Sequence, residues 1–329
     1  MKFFRGTASP ELDGPDSPKP PKPPKDPRIA ALRRFALSIS VLNILGYLWL
    51  GFEQPWLWPI LAVITAYITE VLVESVTAWS EQRTPGYRGG GFRGLVDFLL
   101  PAHITGLAVN MLLFANEQVW LVLFAVAVAV GQKAILRTPI RGKLRHFMNP
   151  SNFGIVTALL LFHWISIAPP YEFTENVDTV LRWIIPALIL ASGTLLNVKL
   201  TKKMPLICGL VVAFAVQAIF RYAVFGTAWR PALLMMTGTA FVLFLNYMVT
   251  DPGTTPIGRR DQIAFGAAVG VAYGVLMAMH VVYGLFFALA IVCVVRGAYH
   301  WSVALRAARR PDRVTAVPDQ IPATVARAR

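Results

Sequence analysis

Long apolar runs separated by short polar stretches dominate the chain. Ten runs stand out, at approximately 35–51, 56–77, 100–115, 118–136, 153–168, 181–197, 205–225, 232–249, 263–279 and 281–297. A helix that crosses a bilayer needs roughly 20 mostly apolar residues. The runs do not alternate strictly between apolar and polar, so the pattern predicts helices and not barrel strands. The third run is the weakest, being short and preceded by the Gly-rich stretch RGGGFRG at 88–94. The ninth and tenth are joined almost without a loop, at His280. The expected fold class is therefore all-α, a polytopic membrane protein of about ten transmembrane helices.

Composition supports the same class. Of 329 residues, 56% are hydrophobic and only 15% charged, against about 25% charged in an average soluble domain. Cys208 and Cys293 both lie inside apolar runs, which excludes a disulfide scaffold. The net formal charge is +14, and its placement sets the orientation. With a cytoplasmic N-terminus, 28 of the 31 Lys and Arg fall in the two tails and the loops near 78–99, 131–151, 198–203 and 250–262. Only Arg182, Arg221 and Arg230 fall on the other side. Positive charge gathers on the inside, so both termini are expected to be cytoplasmic. Residues 1–34 read as a disordered Pro/Lys-rich cytoplasmic tail, 35–300 as the transmembrane domain and 301–329 as a basic cytoplasmic tail. The N-terminal stretch is not expected to be a signal peptide. All nine Trp fall near predicted span ends, as in an aromatic belt. The basic excess is expected to meet the lipid bilayer. No basic face alternates with stacking aromatics, so no nucleic-acid partner is expected.

Several polar residues stand out against this background. Glu70 and Glu74 in the second run are four apart and share a helix face. A carboxylate at membrane depth is either paired or protonated within the bundle, or serves an ion or proton pathway. The loop 137–154, RTPIRGKLRHFMNPSNFG, carries Arg137, Arg141, Lys143, Arg145 and His146. It ends on Asn149-Pro150-Ser151-Asn152 before an apolar helix. Asn152 or Ser151 would cap that helix, and its free N–H groups offer a seat for a phosphate or an electron-rich ring edge. The loop 248–262 carries Asp251-Pro252 and then Gly253, Thr254, Thr255 and Pro256 in a compact turn. It is either an ordinary polar turn or the wall of a cofactor or ion site. Both loops leave the same predicted face, so they are placed to meet. Gly266, Gly270 and Gly274 form a small-residue face for close helix packing. Asn110, Asn197 and Asn246 are expected to bond across helices, and Arg221 and Arg230 to snorkel outward. No HExxH, CxxC, Walker A or GxSxG pattern is present, so neither a metal site nor a nucleotide-binding domain is expected.

Three of these segments together resemble the NqrB/RnfD family of membrane subunits, found in the sodium-translocating NADH:quinone oxidoreductase and the Rnf electron-transport complex. TEVLVES at 69–75 resembles the family's Glu-containing region, with Glu70 at its acidic position. FMNPSNFG at 147–154 resembles its F-x-N-P element through Asn149 and Pro150. YMVTDPGTTP at 247–256 resembles its T-D-P element through Thr250, Asp251 and Pro252. The resemblance covers roughly residues 35–300. It implies two five-helix halves, flavin-linked electron transfer and ion transport, with partner membrane or redox subunits supplying electrons. It also implies a cofactor site at Asn149, Pro150, Asn152, Thr250, Asp251, Thr254 and Thr255, and an ion pathway at Glu70 and Glu74. Family members carry an S-G-A-T motif whose Thr bears covalent flavin mononucleotide (FMN). Here the corresponding loop reads IAPPYEFTENVDTV, and Ser192-Gly193-Thr194 lies within the sixth run. The expected cofactor is therefore non-covalent flavin, FMN or riboflavin, and not covalent FMN. A divergent branch without that motif, the UnbU-type membrane proteins of enediyne biosynthesis clusters, is also similar. The Ala/Arg/Val/Gly-rich composition fits an actinobacterial, plasma-membrane location. A cofactor-free transporter or exporter, or a structural assembly subunit, remains the alternative; two halves of five helices each would be inverted relative to one another, as in inverted-repeat transporters.

Overall fold

The structure, a computed structural model, describes residues 27–140 and 142–309. The expected tails as far as residue 26 and from residue 310, and Arg141, lie outside the described residues. The first helix, α1, covers Pro27–Leu45 and runs on through a π-helical turn at Gly46–Leu50. It thus starts eight residues before the expected boundary at 35, because IAALRRFA continues the helix outward with good helix formers and no breaker. There follow α2 (Trp58–Ser80), α3 (Gly91–Leu112) and α4 (Val119–Ile135). Next come α5 (Pro150–Leu161), α6 (Leu181–Leu196, extended by a π turn at Asn197–Thr201) and α7 (Met204–Phe225). Then α8 (Trp229–Leu234) and α9 (Thr239–Leu243) precede α10 (Arg259–Ala278) and α11 (Gly284–Ala308).

Among the described residues, seven helical segments are long and apolar enough to cross a membrane. By helix length and composition the chain is a multi-pass membrane protein. Each of the ten expected runs coincides with helix, but four depart from a simple span. The third starts at Gly91, because Phe92, Leu95 and Val96 extend the apolar face outward and Pro101 is accommodated inside the helix. The eighth is broken: Trp229–Thr237 and Thr239–Met248 meet at Gly238 with a bend of 64°. The fourth and fifth form helices of only 17 and 12 residues. At 1.5 Å per residue α5 is ~18 Å long, about half of what spanning requires. The expected stretch 162–168 does not continue α5. Instead β4 (Ser166–Ile167) pairs antiparallel with β1 (Leu113–Phe114) just after α3. A second hairpin, β2 (Arg137–Ile140) with β3 (Lys143–His146), sits between α4 and α5.

The short helices lie where non-helical backbone is tolerated at membrane depth, inside protein. Leu121, Val122, Ala125, Val126, Ala129, Ile155 and Ala158 on α4 and α5 are buried in the main core, which also takes in α2, α3, α7, α10 and α11. A smaller core joins α1, α3 and the segment 173–185. The outer faces of the long helices are apolar too. Leu37, Leu72, Leu188, Val212 and Val295 are exposed, a surface suited to lipid. Eight Trp are exposed at or near helix ends; Trp58 departs from the expected belt and is buried. The close packing expected of the glycines is present. A side chain at Gly270 would come 2.6 Å from the Ala213 Cβ, and one at Gly274 2.8 Å from the Gln217 Cβ, so α7 and α10 touch along their backbones.

Candidate functional site

The two loops do meet, and they meet deep in the molecule. Asn149 is extended (φ −63°, ψ 124°) and caps α5, with Pro150 pre-set for the first turn. Its Oδ1 accepts from the Asn152 backbone N–H at 3.0 Å and from the Ser151 hydroxyl at 3.1 Å. Its Nδ2 donates to the Met248 carbonyl at 2.8 Å, at the end of the broken helix. Asn152 Nδ2 donates to the Phe286 carbonyl at 3.0 Å. The Asn149 backbone N–H bonds to the Cys293 sulfur. Cys293 lies nine residues into α11, ~14 Å from its start, so α5 begins beside the middle part of that long helix. The β2–β3 hairpin follows the other half of α11: Thr138 donates to the Gly297 carbonyl and Trp301 Nε1 to the Arg137 carbonyl.

The T-D-P turn closes on the same place. Asp251 Oδ1 accepts from Gly253 N–H at 3.0 Å and Oδ2 from the Thr254 hydroxyl at 2.8 Å. The Thr255 hydroxyl donates to the Asp251 carbonyl at 2.6 Å, and that of Thr250 to the Asn246 carbonyl at 2.6 Å. Two cations brace the turn from outside. Arg296 donates to the Thr254 carbonyl at 2.5 Å, and buried Lys203 to the Pro256 carbonyl at 2.7 Å. Burial pulls the Lys203 ammonium down to about 8, against the opposing pull of Asp251. A side chain at Gly253 would come 3.1 Å from His146 Nε2, which places that glycine against the hairpin.

Nearly every side-chain polar group of the seven expected cofactor residues is thus taken up by a hydrogen bond within its own segment, or to Met248 or Phe286. The exception is Asn152 Oδ1, buried without a hydrogen-bond partner, as is Gln132 Oε1 on α4. Gln132 donates to the Met148 carbonyl at 3.3 Å, which sets it beside the start of α5. Two large grooves among the described residues are lined by other residues. In this arrangement the side-chain donors expected to hold an isoalloxazine ring are already engaged in hydrogen bonds. The amide oxygens of Asn152 and Gln132 are the acceptors left open there.

Glu70 and Glu74 lie elsewhere and apart in role. Glu70 pairs with Lys133 across α2 and α4, both side chains largely buried. Glu74 accepts two bonds from Arg83, at 2.5 and 3.1 Å, and one from Gly86 N–H at 2.6 Å. Sequence reasoning named neither Lys133, Lys203 nor Arg296 as partners, since a basic residue near a span end reads first as a topology signal. Asn197 donates to the Asn246 carbonyl at 2.9 Å and Asn110 to the Tyr47 hydroxyl at 2.8 Å, the cross-helix bonds expected of them. No protein-family model and no curated protein matches the chain.

Proposed function

We propose that the chain is an ion-transporting membrane subunit of the NqrB/RnfD type. It has ten membrane segments in two five-helix halves and both termini on the cytoplasmic side of a bacterial plasma membrane. One observation carries this reading: a half-length helix begins near mid-depth, opposite the end of a broken one. Discontinuous helices that meet at the midplane are how many transporters expose backbone and amide groups to an ion. Here α5 and the second piece of the broken helix, Thr239–Met248, meet through Asn149 and Met248. The unpartnered oxygens of Asn152 and Gln132 supply the acceptors. Asp251 adds a carboxylate one loop away, with Lys203 and Arg296 keeping the turn in place. The Glu70–Lys133 pair is electrically neutral and acts as a brace between α2 and α4.

The test is flux into liposomes. Purified protein is expected to admit Na⁺, K⁺ or H⁺ above the rate of empty vesicles, and Asn152→Leu to abolish that flux while still folding. Flux that is equal in Asn152→Leu removes the mid-depth break from the pathway.

A second reading is flavin-linked electron transfer with partner redox subunits, serving enediyne-type biosynthesis. Lys203 and Arg296, set against the T-D-P turn, favour it as the two cations that the phosphate of non-covalent FMN would meet. Flavin absorption bands in the purified protein that leave with the acid supernatant would establish it.

A further inference from the structure

Arg221 lies four residues from the end of α7, within a helix long and apolar enough to span the membrane. It does not simply reach outward. Its Nε is buried without a hydrogen-bond partner. None of the four ion pairs among the described residues includes it. Arg221 stands where two grooves adjoin, and both are lined by it together with Phe225 and Ala278. The larger groove, of about 750 Å³, runs between α7 and α10 and is walled by Val212, Val216, Phe220, Ile263, Val271 and Val275. The smaller, of about 650 Å³, is more polar and includes Thr227, Tyr273 and His280. Gln217, on the same face of α7 one turn from Arg221, lines the larger groove, is 7% exposed and leaves its Oε1 unpartnered.

An unpaired guanidinium at the head of an apolar groove asks for an anion that carries a hydrocarbon chain. From Arg221 back to Cys208 the groove follows α7 for ~20 Å, more than the ~15 Å depth of one leaflet. We propose that this groove is a binding site for an anionic phospholipid of the bilayer. Its phosphate sits on Arg221, its head group lies in the smaller groove and one acyl chain lies along α7 and α10. The close backbone contact of α7 with α10, set by Gly266, Gly270 and Gly274, forms the floor of the groove. This site is separate from the mid-depth break and does not depend on what passes there.

Native mass spectrometry of the delipidated, detergent-purified full chain, titrated with phosphatidylglycerol or phosphatidylcholine of equal chain length, tests the proposal. Phosphatidylglycerol is expected to bind about tenfold more tightly, because the choline cation of phosphatidylcholine sets a like charge near Arg221. Arg221→Gln is expected to bring the two lipids level, and Arg221→Lys to keep part of the preference. Val212→Trp alters an exposed wall residue and leaves the cation in place, so it is expected to lower retention of phosphatidylglycerol without unfolding the protein. Equal binding of both lipids to the wild type overturns the proposal. So does a preference that survives Arg221→Gln, or oleate binding that excludes phosphatidylglycerol.

Discussion

At the residue scale, the buried charges decide what the molecule tolerates. Glu70 and Lys133 neutralise each other across α2 and α4. Removing one partner leaves the other unpaired at membrane depth, and Glu70→Gln is expected to cost about 3 kcal/mol of stability. Adding Lys133→Met should recover most of that loss, and thermal unfolding of the single and double variants in detergent measures it. Glu172 is a different case. It is 2% exposed, its Oε2 has no hydrogen-bond partner, and burial together with Glu53 and Glu175 pushes its carboxyl up to about 7. The folded state then holds a proton that the unfolded chain releases at its ordinary value of 4.5. Stability is therefore greatest below 4.5 on this account, falls as pH rises towards about 7, and is flat beyond. The loss is on the order of 3 kcal/mol. Glu172→Gln is expected to flatten the pH dependence of the unfolding temperature across that window; an unchanged slope would mean another group titrates. The sequence showed Glu70 as an intramembrane carboxylate but not its partner, because a contact 63 residues away leaves no local trace. Glu172 gave no signal at all, since an acid in a polar loop reads as solvated.

At the scale of elements, glycine and asparagine positions fix how helices end and touch. Gly270 allows α7 and α10 to pack backbone to backbone, so Gly270→Leu is expected to force them apart and cost about 3 kcal/mol. A smaller loss of stability would place the helices further apart than described. Asn149→Ala removes both the cap of α5 and the bond to Met248, with an expected cost of about 2 kcal/mol. Asn149→Asp keeps the cap acceptor and loses the donor, so it separates the two contributions. The ten apolar runs were legible because each is long and continuous. The shortness of α5 was not, since Phe162, Trp164, Ile165 and Ile167 are as apolar as the helix before them. What ends the helix is the pairing of Ser166–Ile167 with Leu113–Phe114, a tertiary choice. The break at Gly238 was hidden for a related reason: one glycine inside an apolar run reads as a packing residue as easily as a hinge.

At the scale of the whole molecule, the motif segments 147–154 and 247–256 converge on one site, with Lys203 and Arg296 against it. The sequence placed both loops on one face. It did not show that they dip to mid-depth, which follows from α5 being half a span long and from Cys293 lying beside its start. Seven full-length helices, one broken helix and two short buried ones then make a bundle with a discontinuity at its centre. That architecture is the basis for assigning ion transport. Its most direct test is cation flux in liposomes that hold the purified chain alone, followed with dyes for Na⁺, K⁺ and H⁺. The account predicts flux above empty vesicles that is lost in Asn152→Leu. Vesicles no leakier than empty ones, with the protein folded and inserted, would contradict it.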